Sequence, residues 1–213
     1  MSTKKTGGMI KALTWIVGLG GAALMIVGIV VYSFASVELS SQNITVASVN
    51  EGSDGVENGP NAGKAVRGPF TALSQINAIT HHLHQASQVA TGGTKDPVTG
   101  EVTGGNPNLT YGTAPSISLD GQGNCLATGA LWTDPGGSGT VQCTKGAPPQ
   151  VTGDINPASI TSLRSTMTTG SFLISSLFVS VVAFGVAALM IGLGALFVVV
   201  SWISAVRSRT ATQ

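Results

Sequence analysis

Two apolar runs without a charged side chain, residues 12–37 near the start and 171–206 near the end, constrain this chain more than any other feature. A helix needs about 20 residues to cross a hydrocarbon core about 30 Å thick, and both runs exceed that. Helices of soluble cores seldom go so far without a charge, so both runs read as transmembrane helices. The second is longer than one crossing requires, since about 36 residues at 1.5 Å rise give about 54 Å. Its first part, with Ser171, Ser175, Ser176 and Ser180, is expected to stand outside the bilayer, continuing a helix that begins near Pro157.

Charge placement gives an orientation. Lys4, Lys5 and Lys11 precede the first run, Arg207 and Arg209 follow the second, and neither tail holds an acid. All nine Asp and Glu residues lie between the runs, with five bases: Lys64, Arg67, Lys95, Lys145 and Arg164. Positive tails and an acidic middle place both termini in the cytoplasm and the middle outside the plasma (inner) membrane. A competing reading makes the first run a cleaved signal peptide, with Ser33 and Ala35 at the spacing of a peptidase site. Against it, a secretory apolar core is roughly 7–15 residues long. Trp15, Tyr32 and Trp202 near the ends of the runs also suit the interfacial belt of uncleaved spans.

Membrane helices associate where small side chains let backbones approach. The first run carries Thr14, Gly18, Gly21, Ala22, Met25 and Gly28 at helical spacing, and the second carries Gly185, Ala188, Gly192 and Ala195. These stripes are expected to pack the two spans on each other. The alternatives are a separate membrane partner, or the ordinary glycine richness of such helices. Neither run contains Asp, Glu, Lys, Arg or His. That argues against transporters, pumps and voltage sensors, which need ionisable groups within the bilayer.

The middle, residues 37–170, is rich in Gly, Thr, Pro and Asn and is expected to form a small α+β domain with a modest core. Val37, Leu39, Ile44, Val46 and Val49 suggest an extended exit from the membrane. Residues 50–63 and 91–108 read as loops. Phe70, Leu73, Ile76, Ile79, Leu83, Ala86 and Ala90 recur at three- and four-residue steps, which predicts an amphipathic helix over about 70–90, with Pro69 in its first turn and Gly92 and Gly93 at its end. From Leu109 onward the pattern turns to short strands around Leu109 and Tyr111, Ile117 and Leu119, Leu131 and Trp132, and Val141 and Cys143. Residues 134–137 form a hairpin loop in this reading. Two cysteines in one exported module, Cys125 and Cys143, are expected to be joined; in the chain-entropy model such a loop contributes about 3 kcal/mol.

Chemistry is sparsely signalled. His81, His82 and His84 are the only histidines. At about 100° per residue one helix cannot aim all three at one ion, so they are weak metal candidates and read first as ordinary helix histidines. No Gly-x-Ser-x-Gly elbow is present, no phosphate-binding loop follows a strand, and an acidic, aromatic-poor middle does not suit nucleic acid. Asn43 and Asn108 begin glycosylation sequons, which matter only in a eukaryotic secretory route.

The residues 176–197, SLFVSVVAFGVAALMIGLGALF, resemble the C-terminal span of small two-helix membrane proteins of actinobacteria. Gln42-Asn43-Ile44-Thr45-Val46, Gly68-Pro69-Phe70, Gln75, Ile79 and His82 add to the likeness, which covers both spans and the outer helix. Members of that group often bear the name "aromatic ring-opening dioxygenase". They have a shorter outer segment, so residues 99–154 look like an insertion. Ring-opening at non-haem iron needs two His and a carboxylate held facially in a substrate-sized pocket. Three histidines on one short helix do not supply that set, and the name is read as uninformative about activity.

The sequence therefore predicts a non-catalytic two-span protein of the cell envelope, without cofactor. Its parts are a cytoplasmic tail at 1–11, a span at 12–36, an external domain at 37–170 with a disulfide-bearing β insertion at 99–154, a span with an external extension at 171–204, and a cytoplasmic tail at 205–213. Its expected partners are the lipid bilayer and a larger membrane complex, a respiratory one among the possible hosts, which it would serve as an accessory or stabilising subunit. The alternative is a metal-binding protein or enzyme centred on the outer-helix histidines.

Overall fold

The computed structural model describes residues 3–47, 60–129 and 132–210, with side chains from Ala12 to Arg207. Along the chain these residues form α1 (Thr3–Ser41), α2 (Pro69–Ala90), β1 (Thr94–Lys95), β2 (Val102–Thr103), β3 (Trp132–Thr133), β4 (Gly139–Gln142), β5 (Gln150–Gly153) and α3 (Pro157–Thr210). Val49, Leu131 and most of the expected loop at 50–63 lie outside the described residues. The chain divides into two compact units, and α3 contributes residues to both.

The first unit holds α1, the segment Arg67–Pro69 and α3 from Val179 onward. Two stretches, Ala12–Ser41 and Pro157–Arg207, are long and apolar enough to cross a membrane. Only 11% and 17% of their most apolar windows are buried within the molecule, so neither of those windows is core. Leu39 lies within α1, which runs on to Ser41, so the extended exit expected from Val37 onward is not what forms. The helix ends where Asn43 takes a left-handed conformation (φ 51°), a conformation that Asn adopts more readily than most residues. The Ser36 hydroxyl donates to the Arg67 carbonyl at 2.8 Å, tying the returning segment to α1.

Within this unit α1 and α3 meet along one seam. On α1 it is Gly18, Gly21, Met25, Gly28 and Tyr32; on α3 it is Phe184, Ala187, Ile191, Gly194, Val198 and Ser201. Both lines advance by alternating three- and four-residue steps, the spacing of a coiled-coil interface. Backbone touches backbone at its middle. A Cβ placed on Gly21 would stand 2.7 Å from the Gly194 carbonyl oxygen, and one on Gly28 2.9 Å from that of Ala187. Tyr32 and Phe184 close one end with rings 4.9 Å apart, edge to face.

The second unit comprises residues 45–66 and 70–178. Its core is Ala90 of α2, Leu109, Ala114, Val141 of β4, Ile155, and Ile160, Leu163 and Met167 of α3, with Leu83, Ala86, Ile117, Trp132 and Val151 against it. The strands β3, β4 and β5 form one antiparallel sheet in that order, with Val141 facing Trp132 on one side and Val151 on the other. Residues 134–138 turn β3 into β4, as the Asp-Pro-Gly-Gly sequence predicts. The other paired strands differ from expectation. β1 and β2 pair inside what reads as a loop, and the segment around Ile117 and Leu119 contributes only an isolated bridge from Leu119 to Cys125. Leu109 lies in irregular backbone and Tyr111 in a turn, not in a strand.

Helix α2 has the predicted extent, but its buried face is not made of the large residues that mark its periodicity. Ala72, Ala78, Ser87 and Ala90 are buried, whereas Phe70 is 77% exposed and Leu73 41%. Small residues let neighbouring segments approach α2 closely, and the large ones stand at the margin. The helix stops at a Schellman-type end: Gly92 has φ 91°, and Gly93 N–H donates to the Gln88 carbonyl at 2.7 Å. α3 starts on an N-cap, where the Asn156 Oδ1 accepts from the N–H groups of Ala158 and Ser159 at 3.1 and 3.3 Å and Pro157 fills the first helical position.

Cys125 and Cys143 are bonded, 18 residues apart. The bridge pins an irregular segment to the end of β4, where Cys125 N–H also donates to Ala147 and Leu126 N–H to Ser118.

Candidate functional site

In the second unit the helices α2 and the first part of α3 leave a groove between them, made of two basins in series. The first, about 370 Å³, is walled by His82, Gln85 and Val89 of α2, by Lys95 of β1, and by Ser159 and Ser162 of α3, over a floor that includes Ala86, Val102 and Leu163. The second, about 360 Å³, lies between Ile79 and Leu83 of α2 and Ser165, Thr169, Gly170 and Leu173 of α3. His82 and Thr166 line both basins and mark where they join. The close packing of Leu83 on Gly170, where an added Cβ would lie 2.8 Å from the leucine methyls, sets the groove's depth there.

The groove carries positive charge only. Among the described residues Lys95 is its one permanently charged side chain, and no Asp or Glu lines either basin. Gln85 is held in place by donating to the Gly100 carbonyl at 3.3 Å. The hydroxyls of Ser162 and Thr166 donate back along α3 to the carbonyls of Ser159 and Ser162 at 3.1 Å each, and their oxygens remain acceptors for anything in the groove.

The three histidines do not converge. His82 faces the groove; His81 is half-buried, its ring centroid 6.1 Å from that of His82; His84 is exposed and lines neither basin. Among the described residues no group of three or more His, Cys, Asp and Glu is placed to hold a metal ion.

Sequence reasoning missed a buried polar chain next to this groove. Ser87, Thr91 and Asp134 are at most 2% exposed. The Ser87 hydroxyl donates to the Asn106 carbonyl at 2.6 Å and accepts from Leu109 N–H at 3.2 Å. Thr91 Oγ1 donates to Ser87 and accepts from Asn106 N–H at 2.6 Å. The Asn106 amide then donates to Asp134 Oδ1 at 3.0 Å, while Asp134 Oδ2 accepts from Ser138 N–H at 3.1 Å. Burial works to raise the Asp134 pKa, but the hydrogen bonds from Asn106, Ser138 and Gly136 outweigh it and hold the carboxyl below its usual range. The Asp96 carboxylate, fully exposed, is also lowered by the N–H groups of Thr99 and Val98 that it receives, and Asp120 by those of Asn124 and Gln122. These two are turn-forming carboxylates at loop tips.

The predicted helix-packing residues divide into two sets. Gly18, Gly21 and Gly28 lie on the α1–α3 seam, and Ala22 beside them is half-buried. Gly185, Ala188 and Gly192 do not: all three are exposed, and an added Cβ at Gly185 or Gly192 would meet nothing within 4 Å. Ala195 is half-buried. The α3 line that meets α1 is Phe184, Ala187, Ile191 and Gly194, which is the predicted stripe shifted by one residue, or about 100° around the helix.

Comparison with protein-family models, curated proteins and solved structures finds no match.

Proposed function

We propose that this is a two-span membrane protein of the cell envelope, with both ends in the cytoplasm and the disulfide-bearing unit outside, serving as a non-catalytic accessory subunit of a larger membrane assembly. The membrane placement is supported by large apolar side chains that stand exposed among the described residues, including Trp15, Ile16, Leu19, Ile26 and Phe34 of α1 and Leu189 and Trp202 of α3. Water would make that surface strongly unfavourable, whereas lipid would not. The orientation rests on the basic tails and on the Cys125–Cys143 bridge, which belongs in an oxidising compartment.

The observation that carries the accessory role is the open stripe Gly185, Ala188 and Gly192. It has the same three- and four-residue steps as the filled seam beside it, and among the described residues nothing packs on it. A partner's transmembrane helix with small residues of its own fits such a face, because close backbone contact is what drives association in lipid.

Two experiments test this reading. In intact cells a membrane-impermeant maleimide should leave the protein unlabelled until an impermeant reductant is added, and then label both cysteines; labelling without reductant, and only after lysis, would place the middle in the cytoplasm. Purified in mild detergent, the protein should carry a stoichiometric partner. Gly185→Leu with Gly192→Leu should reduce that partner at least tenfold without altering the protein's own melting. A wild-type chain that runs only as a monomer and crosslinks to nothing would overturn the role.

A further inference from the structure

We propose that the groove between α2 and the start of α3 binds a single-chain anionic amphiphile of the fatty-carboxylate class. The two basins follow one another along antiparallel stretches of helix, from Leu173 and Ile79 at one end to Ser159 and Val89 at the other. The fourteen steps from Ser159 to Leu173 along α3, at 1.5 Å rise each, make this path about 21 Å long, the reach of one extended acyl chain. Basins in series, not side by side, accommodate one chain and not two.

Polarity changes along the path. At the far end Ile79, Leu83 and Leu173 offer hydrocarbon beside the hydroxyl residues Ser165 and Thr169, and Ala86, Val89, Val102 and Leu163 continue an apolar floor into the first basin. The charge belongs to the other basin, which Lys95 lines and which no carboxylate lines among the described residues. The hairpin β1–β2 fixes it there, because Lys95 pairs with Val102 and the Gln88 amide donates to the carbonyls of Val102 and Gly104 at 3.4 and 3.1 Å. A carboxylate at this end would accept from Lys95 and from the Ser159 hydroxyl, and its chain would lie past His82 and Thr166 toward Leu173. One cation matches one negative charge, and this favours a carboxylate over a phosphate dianion. The site makes no use of the open stripe on α3, so it stands or falls apart from the accessory role.

The test uses the full-length protein in nanodiscs of phosphatidylcholine with a photoactivatable palmitate carrying a diazirine in its chain. Crosslinks are expected on peptides of α2 and of α3 up to Leu173, displaced by unlabelled palmitate but not by hexadecanol. Lys95→Glu should cut labelling at least tenfold. Thr166→Trp, which fills the junction on an exposed face, should abolish crosslinks at the Leu173 end, with melting unchanged in both variants. Crosslinks confined to other segments, equal competition by hexadecanol, or labelling that survives Lys95→Glu would each overturn the proposal. Displacement by lysophosphatidic acid at far lower concentration than palmitate would do so too, by assigning the groove to a phosphate headgroup.

Discussion

Gly194→Leu, alone or with Gly21→Leu, is expected to part α1 from α3. At the centre of the seam there is no space for a side chain: a Cβ on Gly194 would fall 2.5 Å from the Gly21 carbonyl oxygen and 2.6 Å from Met25 Cγ. The first of these contacts is backbone and cannot rotate away, so the helices must separate. Overpacking a tight interface costs about 1–3 kcal/mol per site. Here separation also forfeits the neighbouring contacts at Gly28 and the Tyr32–Phe184 ring pair. The readout is a cysteine pair at Gly18→Cys and Ser201→Cys, where the Cβ positions are 3.2 Å apart, close to the separation a disulfide spans. Mild oxidation should crosslink nearly all of the otherwise native protein and less than a tenth of the Gly21→Leu/Gly194→Leu form. Gly192→Leu, two residues away and on nearly the opposite side of the same helix, should leave the crosslink intact. If the Gly194 variant crosslinks as well as the parent, the seam is misassigned.

That contrast shows where the sequence stops being informative. Both apolar runs, the extent of α2, the hairpin at 134–137 and the cysteine pairing can be read directly, because each is written in local composition or in strict periodicity. The α3 interface cannot. Gly185, Ala188, Gly192 and Ala195 have the same steps as Phe184, Ala187, Ile191 and Gly194, and only the position of α1 distinguishes the two lines. The first looks better in sequence because it is richer in small residues, yet one glycine, Gly194, opposite Gly21 is enough for backbone contact, and the larger Phe184 is used to stack on Tyr32. A similar ambiguity hides the buried side of α2: the eye follows Phe70 and Leu73, while the helix packs on Ala72 and Ala78. The groove was half visible. His82 draws attention in sequence as a metal candidate, but Lys95 and the hydroxyls of α3 come to it from 13 and more than 70 residues away, and no motif links them.

Asp134→Ala should be the most damaging single substitution in the second unit, costing about 3 kcal/mol. The carboxylate is the far anchor of a polar chain that begins on α2, and no apolar residue can replace it. Hydrogen bonds to a charged group contribute about 1.5–3 kcal/mol, and each buried donor left without a partner costs about 1–3 kcal/mol more. Asn106 and the turn at Ser138 would both lose their acceptor, and the segment 106–109 that Ser87 and Thr91 hold against α2 would loosen. Asp134→Asn should cost less, since one amide oxygen still accepts, but it reverses the second position from acceptor to donor. The two variants can be separated by pH. A carboxyl whose folded pKa lies below its unfolded one stabilises fully above the unfolded value, about 3.9, and loses that contribution as pH falls through the folded value. Urea melting followed by Trp132 fluorescence, in a Trp15→Phe/Trp202→Phe background, should therefore show the parent losing stability below about pH 4, while Asp134→Asn falls less steeply over the same interval, the remaining slope coming from Asp96 and Asp120. Trp132 is a suitable reporter because its indole N–H donates to the Thr113 carbonyl at 2.7 Å and its ring rests on the core beside this hairpin. Equal acid slopes in the two proteins would mean that Asp134 does not carry its charge into the folded state, and the polar chain would then have to be rebuilt around a neutral acid.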